Sequence, residues 1–235
     1  MEKVDARLTS FIPWTEPTWT GSVHSWITDT LGASGIQVTD QIETVHHKSW
    51  SAVLRAPTSA GTVYFKATSP TFAHEPALTS ALAALMPERT PEVLGTDVEK
   101  GWLLMRDAGA ALRAQATGDD LLDLWETVLP QFADLQQRAA DQSGTLLSIG
   151  VPDRRPSVLP ALFERLLNDR GALLLGEADG LKEEDLQDAR RRLPDLKHLC
   201  SELACSSVPH SVHHDDFHDG NVFDLARVLW RRSSV

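Results

Sequence analysis

The hydrophobic pattern changes period once, and sharply. From Ile36 to Arg106 the apolar residues alternate or run in short strand-length blocks; after Ala110 and up to Pro209 they recur every three or four residues. A chain that segregates strands and helices in this way belongs to the α+β class, with the sheet first and the helices after it. The segment Asp107-Ala-Gly-Ala110 breaks both patterns and reads as a hinge between two lobes. The expected division is a lead-in and helix over 1–35, a first lobe of sheet and helix over 36–107, and a helical second lobe over 108–235. At 235 residues the chain is long enough for one large domain or two such lobes.

Within the first lobe, Ile42, Thr44 and Val45 predict one strand, Trp50 to Ala56 a second, and Thr62 to Ala67 a third. Pro57 to Gly61 reads as the turn between the last two. This antiparallel meander puts Lys66 inside an apolar strand. The plain explanation is an edge-strand lysine that blocks aggregation. A helix follows from about Phe72 to Met86, with Ala77, Leu78, Ala81, Leu82 and Leu85 as its apolar stripe and Glu75 in its first turn. Glu75 either complements the helix N-terminus or pairs with Lys66 and holds it toward a phosphate. Strands over Glu92–Thr96 and Gly101–Arg106 complete the lobe, the second apolar enough to be central. Ahead of the sheet, Phe11, Trp14 and Trp19 should pack an irregular lead-in onto the body. Thr20 or Ser22 caps a helix through Val23, Ile27 and Leu31.

The second lobe should hold a helix from about Leu121 to Leu135, kinked at Pro130, and a loop over Gln142–Pro156. Next comes a helix capped by Ser157, then one from Lys182 to Ala204 interrupted at Pro194. Arg154-Arg155 and Arg190 to Arg192 read as solvated basic runs. Cys200 and Cys205 fit no zinc spacing and read as buried free thiols. The net charge of −11 disfavours a nucleic-acid or anionic-membrane surface and suits a cationic small substrate, although solubility is the simpler explanation. With no signal peptide and no run of eighteen apolar residues, a cytoplasmic location is expected.

Chemistry concentrates in His214-Asp-Asp-Phe-His-Asp-Gly-Asn221-Val-Phe223. An acid and an amide five residues apart, Asp216 and Asn221, form the grouping a kinase-type catalytic loop needs. The carboxylate orients a hydroxyl and takes its proton, and the amide oxygen holds magnesium on the phosphates. A polar loop shaped only by turns and caps would look similar. A third reading takes the local His and Asp residues (His210, His213, His214, His218, Asp215, Asp216, Asp219) as a metal-hydrolase site. Phe217 and the Val222-Phe223 pair should anchor the loop in the core.

Taken in order, Val63-Tyr-Phe-Lys-Ala67, His74-Glu-Pro-Ala-Leu78, Gly101-Trp-Leu-Leu-Met-Arg106 and His214 to Phe223 resemble the aminoglycoside phosphotransferase family. These are choline-kinase-like small-molecule kinases with a bilobal protein-kinase-like fold, and the similarity covers roughly residues 36–225. The resemblance implies that Lys66 contacts the phosphates of ATP and Glu75 fixes it. It also implies that the backbone from Met105 to Asp107 faces the adenine, that Asp216 is the base, and that Asn221 is a Mg2+ ligand. His214 would brace the loop backbone; His218 and Asp219 would shape it. The acceptor would be a small-molecule hydroxyl, and transfer would rest on positioning and charge neutralisation.

Three departures qualify the resemblance. Asp215 stands where the family has glycine. The expected phosphate loop, Val45-His-His-Lys-Ser-Trp50, has no glycine. The family's second metal aspartate has no counterpart after Asn221: Asp224 is three residues away and Trp230-Arg231-Arg232 follows. These features predict a C-terminally truncated member with an incomplete helical lobe, of weak or absent activity. The alternatives are a degenerate nucleotide-binding pseudokinase and the His/Asp-cluster metal hydrolase.

Overall fold

The computed structural model describes residues 12–223. Phe11 of the expected lead-in, and Asp224 and Trp230 to Arg232 of the C-terminal segment, lie outside the described residues. The fold is α+β, with an antiparallel sheet and its helices first and a mostly helical region after it. Two compact units are present among the described residues, one of residues 12–151 with 211–223 and one of residues 152–210.

The first unit begins with α1 (Trp19–Gly32), whose Trp19, Val23, Ile27 and Leu31 recur every four residues and are buried. They pack on one face of a five-stranded sheet: β1 (Glu43–His47), β2 (Ser51–Thr58), β3 (Gly61–Thr68), β4 (Val93–Asp97) and β5 (Trp102–Arg106), in the order β1-β2-β3-β5-β4. Alternation along the strands sends Ala52, Leu54, Ala56, Val63, Phe65, Ala67, Trp102 and Leu104 to that face. Edge-to-face contacts at 5.5–5.8 Å join Trp26, Phe65 and Trp102 there. Gly95 of β4 lies against Thr30 of α1, and a Cβ would run into the threonine methyl. The Trp14 indole N–H donates to the carbonyl of Lys48 at 3.0 Å, which ties the lead-in to the body.

Lys66 belongs to the row His46–Val53–Lys66–Leu103. It therefore points to the face opposite Phe65. β3 lies between β2 and β5, so the edge-strand explanation of Lys66 is wrong. Pro57 was expected in a turn but lies within β2. Its carbonyl accepts from Thr39 at 3.0 Å, on the side away from β3, so the missing proline N–H costs the β2–β3 ladder nothing. β5 is the buried central strand expected of Trp102 to Met105, with Leu104 fully enclosed.

α2 (Glu75–Leu85) follows a short 3₁₀ turn at Pro70–Phe72. α3 (Asp119–Ala140) contains Pro130, and α4 (Ser143–Ser148) is a short helix inside the expected loop. In the second unit, α5 (Leu159–Leu167), α6 (Glu183–Arg191) and α7 (Leu193–Ala204) bury Leu167, Leu186 and Cys200. Pro194 sits in the first turn of α7, where its missing N–H is harmless. Cys205 is exposed, against expectation, because it falls just past the end of α7. Nor are the arginines merely solvated. Arg190 donates to the Leu167 carbonyl at the end of α5, 3.0 Å away, and Arg155 clasps Asp153 with contacts of 2.5–3.1 Å. No helix among the described residues is long and apolar enough to cross a membrane.

Candidate active site

Two constellations in the first unit carry the candidate chemistry. In the first, the turn at Pro70–Phe72 brings the start of α2 back along the sheet, and the Glu75 carboxylate takes an ion pair from the Lys66 ammonium. Both side chains are partly buried, and the pair closes nine residues of chain. Behind it, His46 shares the Lys66 row and lies 3.4 Å from the Ser51 hydroxyl. Burial and then the nearby Lys48 and Lys66 charges hold the His46 imidazole below its ordinary pKa.

The second constellation is the loop from Ser211 to Phe223. α3 holds its entry: the Gln136 amide donates to the Val212 carbonyl at 3.0 Å, and the Ser211 hydroxyl donates to the Gln136 carbonyl. Phe217 stacks on Phe132 at 4.3 Å and meets the edge of Trp125 at 5.3 Å. His214 packs against both phenylalanines. His214 is exposed overall, but the face of its ring against the phenylalanines is partly desolvated, which pulls its pKa below the ordinary value against the opposing effect of Asp216, Asp215 and, least, Glu75. Phe223 is half exposed and is not a core anchor as expected; its backbone bridges Ala111 instead.

Asp216 and Asn221 meet directly. The Asn221 amide nitrogen donates to the Asp216 backbone carbonyl at 2.9 Å and to its Oδ2 at 2.8 Å. That leaves Oδ1 as the acceptor of the amide, and Asp216 itself is largely open to solvent. Asp215, where the resemblance led to the expectation of glycine, has φ +63°, a left-handed conformation that aspartate tolerates better than most side chains. Its carboxylate contacts His213 Nδ1 at 2.7 Å.

At the expected hinge, Met105 is paired between Tyr64 and Val93. The Asp107 N–H donates to the Thr62 carbonyl at 3.1 Å, and its Oδ1 accepts from Gly109 N–H at 2.8 Å. Cavities of about 400 and 370 Å3 lie at Arg170–Glu183 and at Ser80–Val93, and neither is lined by Lys66, Asp216 or Asn221.

One residue at the site has no signal in the sequence. Arg113, in the 3₁₀ turn Leu112–Ala114, donates through Nη2 to His218 Nδ1 and to Asp219 Oδ1, both at 2.8 Å. It lies 105 residues from His218 in a stretch with no motif.

For magnesium the donor set is thin. The ion needs an octahedral oxygen shell, commonly one or two carboxylates completed by phosphates and water. Asn221 Oδ1 and Asp216 amount to a fragment of such a shell. Among the described residues no group of three or more His, Cys, Asp or Glu side chains could hold a metal. The His- and Asp-rich loop thus offers the metal-hydrolase reading no geometric support.

No family model and no curated protein matches the chain. Among solved structures, a "Macrolide 2'-phosphotransferase type I" superposes with a TM-score of 0.50 at 12% identity, over 88% of this chain and 68% of that one. At that identity the likeness concerns the fold: it is distantly that of an aminoglycoside-phosphotransferase-like protein over most of the chain.

Proposed function

We propose that the chain is a small-molecule phosphotransferase of the aminoglycoside phosphotransferase kind, moving the γ-phosphate of ATP to a hydroxyl. The observation that carries this reading is the pairing of Lys66 with Glu75 and of Asp216 with Asn221 on this fold. In this reading residues 36–107 and 108–235 serve as the two lobes, with the Met105–Asp107 backbone beside the adenine.

Lys66, steadied by Glu75, neutralises phosphate charge. An Asp216 oxygen accepts the proton of the acceptor hydroxyl as the hydroxyl oxygen bonds to the γ-phosphorus and the bond from phosphorus to the ADP oxygen breaks. Asn221, fixed by its amide nitrogen, keeps the Asp216 carboxylate in one plane. Its Oδ1 would fill one position on a magnesium ion, whose contribution is to screen the charge of the phosphates. The similar structure's name suggests a bulky hydroxylated acceptor, and the chain's acidity suits a cationic one.

The thin metal shell favours one second reading, a degenerate relative that binds nucleotide without turnover. Thermal melting with ATP, with and without magnesium, separates the two when combined with transfer of labelled phosphate to a panel of aminosugar and macrolide hydroxyls. A magnesium-dependent shift with transfer supports the kinase. A shift without transfer supports the degenerate relative. No shift with ATP in either condition refutes both.

A further inference from the structure

We propose that Arg113 fixes the tautomer of His218 and, through it, positions Asp216. Two groups face the Nδ1 atom of His218: the backbone N–H of Gly220 at 2.9 Å and Arg113 Nη2 at 2.8 Å. Both are donors only, since a backbone amide nitrogen does not accept and a guanidinium keeps its protons in proteins. A ring nitrogen between two such donors presents its lone pair, so the proton of the neutral ring sits on Nε2. Asp219 Oδ1, 3.5 Å from the same Nδ1, would favour the opposite tautomer. Arg113 Nη2 removes that competition because it has two hydrogens, one for Asp219 Oδ1 and one for Nδ1.

The protonated nitrogen is the one that faces the candidate base. Nε2 stands 3.4 Å from Asp216 Oδ1. That is a long contact, of the kind that tightens to a hydrogen bond in a substrate complex. Asn221 already donates to Oδ2 at 2.8 Å. Asp216 is thereby flanked by a donor on each oxygen, which sets its plane and leaves its other lone pairs for a hydroxyl proton.

Arg113 is itself held in place. Its backbone N–H donates to the Asp219 carbonyl at 3.0 Å, and that of Leu112 to the Val222 carbonyl at 2.8 Å. Gly220 gives the guanidinium its room, for a Cβ there would collide with it. The segment after the hinge and the loop are thus joined by backbone bonds and by the Arg113 side chain. The positioning role rests on the proposed reading of Asp216 as a base; the tautomer does not.

Long-range 1H–15N correlation of the imidazoles in the labelled full chain, at mildly alkaline pH, reads the tautomer directly. His218→Gln assigns the signal. The wild type should show the Nε2–H pattern, and Arg113→Met should relax it to a mixture. Gly220→Ala, which displaces the guanidinium while keeping Arg113, should do the same, so a poorly folded Arg113→Met leaves the question decidable. An Nδ1–H pattern in the wild type, or an unchanged pattern in a folded variant, overturns the inference.

In MgATP hydrolysis, His218→Leu should lower kcat by about 10–100-fold with KM for ATP unchanged, the usual scale for groups that orient a reacting one. A change in KM alone overturns the positioning role. If the wild type has no turnover, the reading of Asp216 falls and the positioning role with it, while the spectrum still decides the tautomer.

Discussion

Lys66 stands in the middle of a five-stranded sheet, with hydrogen-bonded strands on both sides and a buried aromatic core behind it; Asp216 stands on a loop that no sheet supports. The sheet half is placed by the backbone: its registers run from β1 to β5, and the Lys66 side chain needs only Glu75 to steady it. The loop half has a few backbone bonds to Leu112 and Arg113 and is otherwise placed by side chains from distant segments, namely Gln136, Phe132 and Trp125 of α3 and Arg113 after the hinge. A ladder of backbone bonds spreads any local loss over many partners. A loop held by four or five side-chain contacts and two or three backbone bonds does not. Changes at the loop should therefore alter function or local order with little effect on the whole fold, and changes in the sheet core should do the reverse.

The largest expected effect tests that contrast at its functional end. Asp216→Asn should lower phosphate transfer by about 10²–10⁴-fold with an unchanged melting temperature, because Asp216 is exposed and the new amide can still meet Asn221. Unchanged turnover would remove Asp216 as the base. Next in size, Phe65→Ala should destabilise the whole unit by about 3–5 kcal/mol, since Phe65 is buried among Trp19, Trp26 and Trp102. Phe132→Ala should cost only about 1–2 kcal/mol. Hydrogen exchange should show that loss in the amides of residues 211–223, with the sheet still protected. Equal loss of protection in the sheet would show that the two halves unfold as one.

The same contrast explains what the sequence discloses. The strand alternation around Lys66, the early glutamate of α2 and the Asp216–Asn221 spacing are local patterns, and a local pattern is readable. The position of β3 inside the sheet is not local, and this is why Lys66 could pass for an edge lysine. Pro57 looked like a turn because its tolerance depends on which side its missing N–H faces, a property of the strand neighbours. α4 is too short to show a period. Arg113 was illegible for a stronger reason: its role depends on a contact across 105 residues and on a glycine that makes room for it. The family resemblance was legible from motif order, and the fold comparison agrees with it at the level of fold.

Asp215 supplies a smaller test of how strained the loop half is. A left-handed backbone at a residue with a Cβ costs about 1–2 kcal/mol, somewhat less for aspartate, and φ here is +63°. Asp215→Gly removes that cost but gives up the exposed contact with His213, which is worth little, and it loosens the unfolded chain. The net expectation is a gain of about 0.5–1 kcal/mol in chemical denaturation. A loss instead would mean that the His213 contact holds the loop and that side chains matter there even more than proposed.

The smallest effect divides a pH dependence between the two halves. His214 in the loop and His46 in the sheet both have pKa values pulled below the ordinary 6.5, first by burial and, for His46, also by Lys48, Lys66 and His47. The unfolded chain then takes up these protons first as pH falls. Stability is full above about 6.5 and declines as pH drops through that value toward the lower folded ones. Melting temperature followed from neutral to mildly acidic pH should show the decline in the wild type. His214→Leu keeps an apolar group against Phe132 and Phe217, so it should remove part of the slope; His46→Asn should remove the rest. If His214→Leu leaves the slope intact, the imidazole is not desolvated by the aromatic pair, and the loop rests on its hydrogen bonds alone.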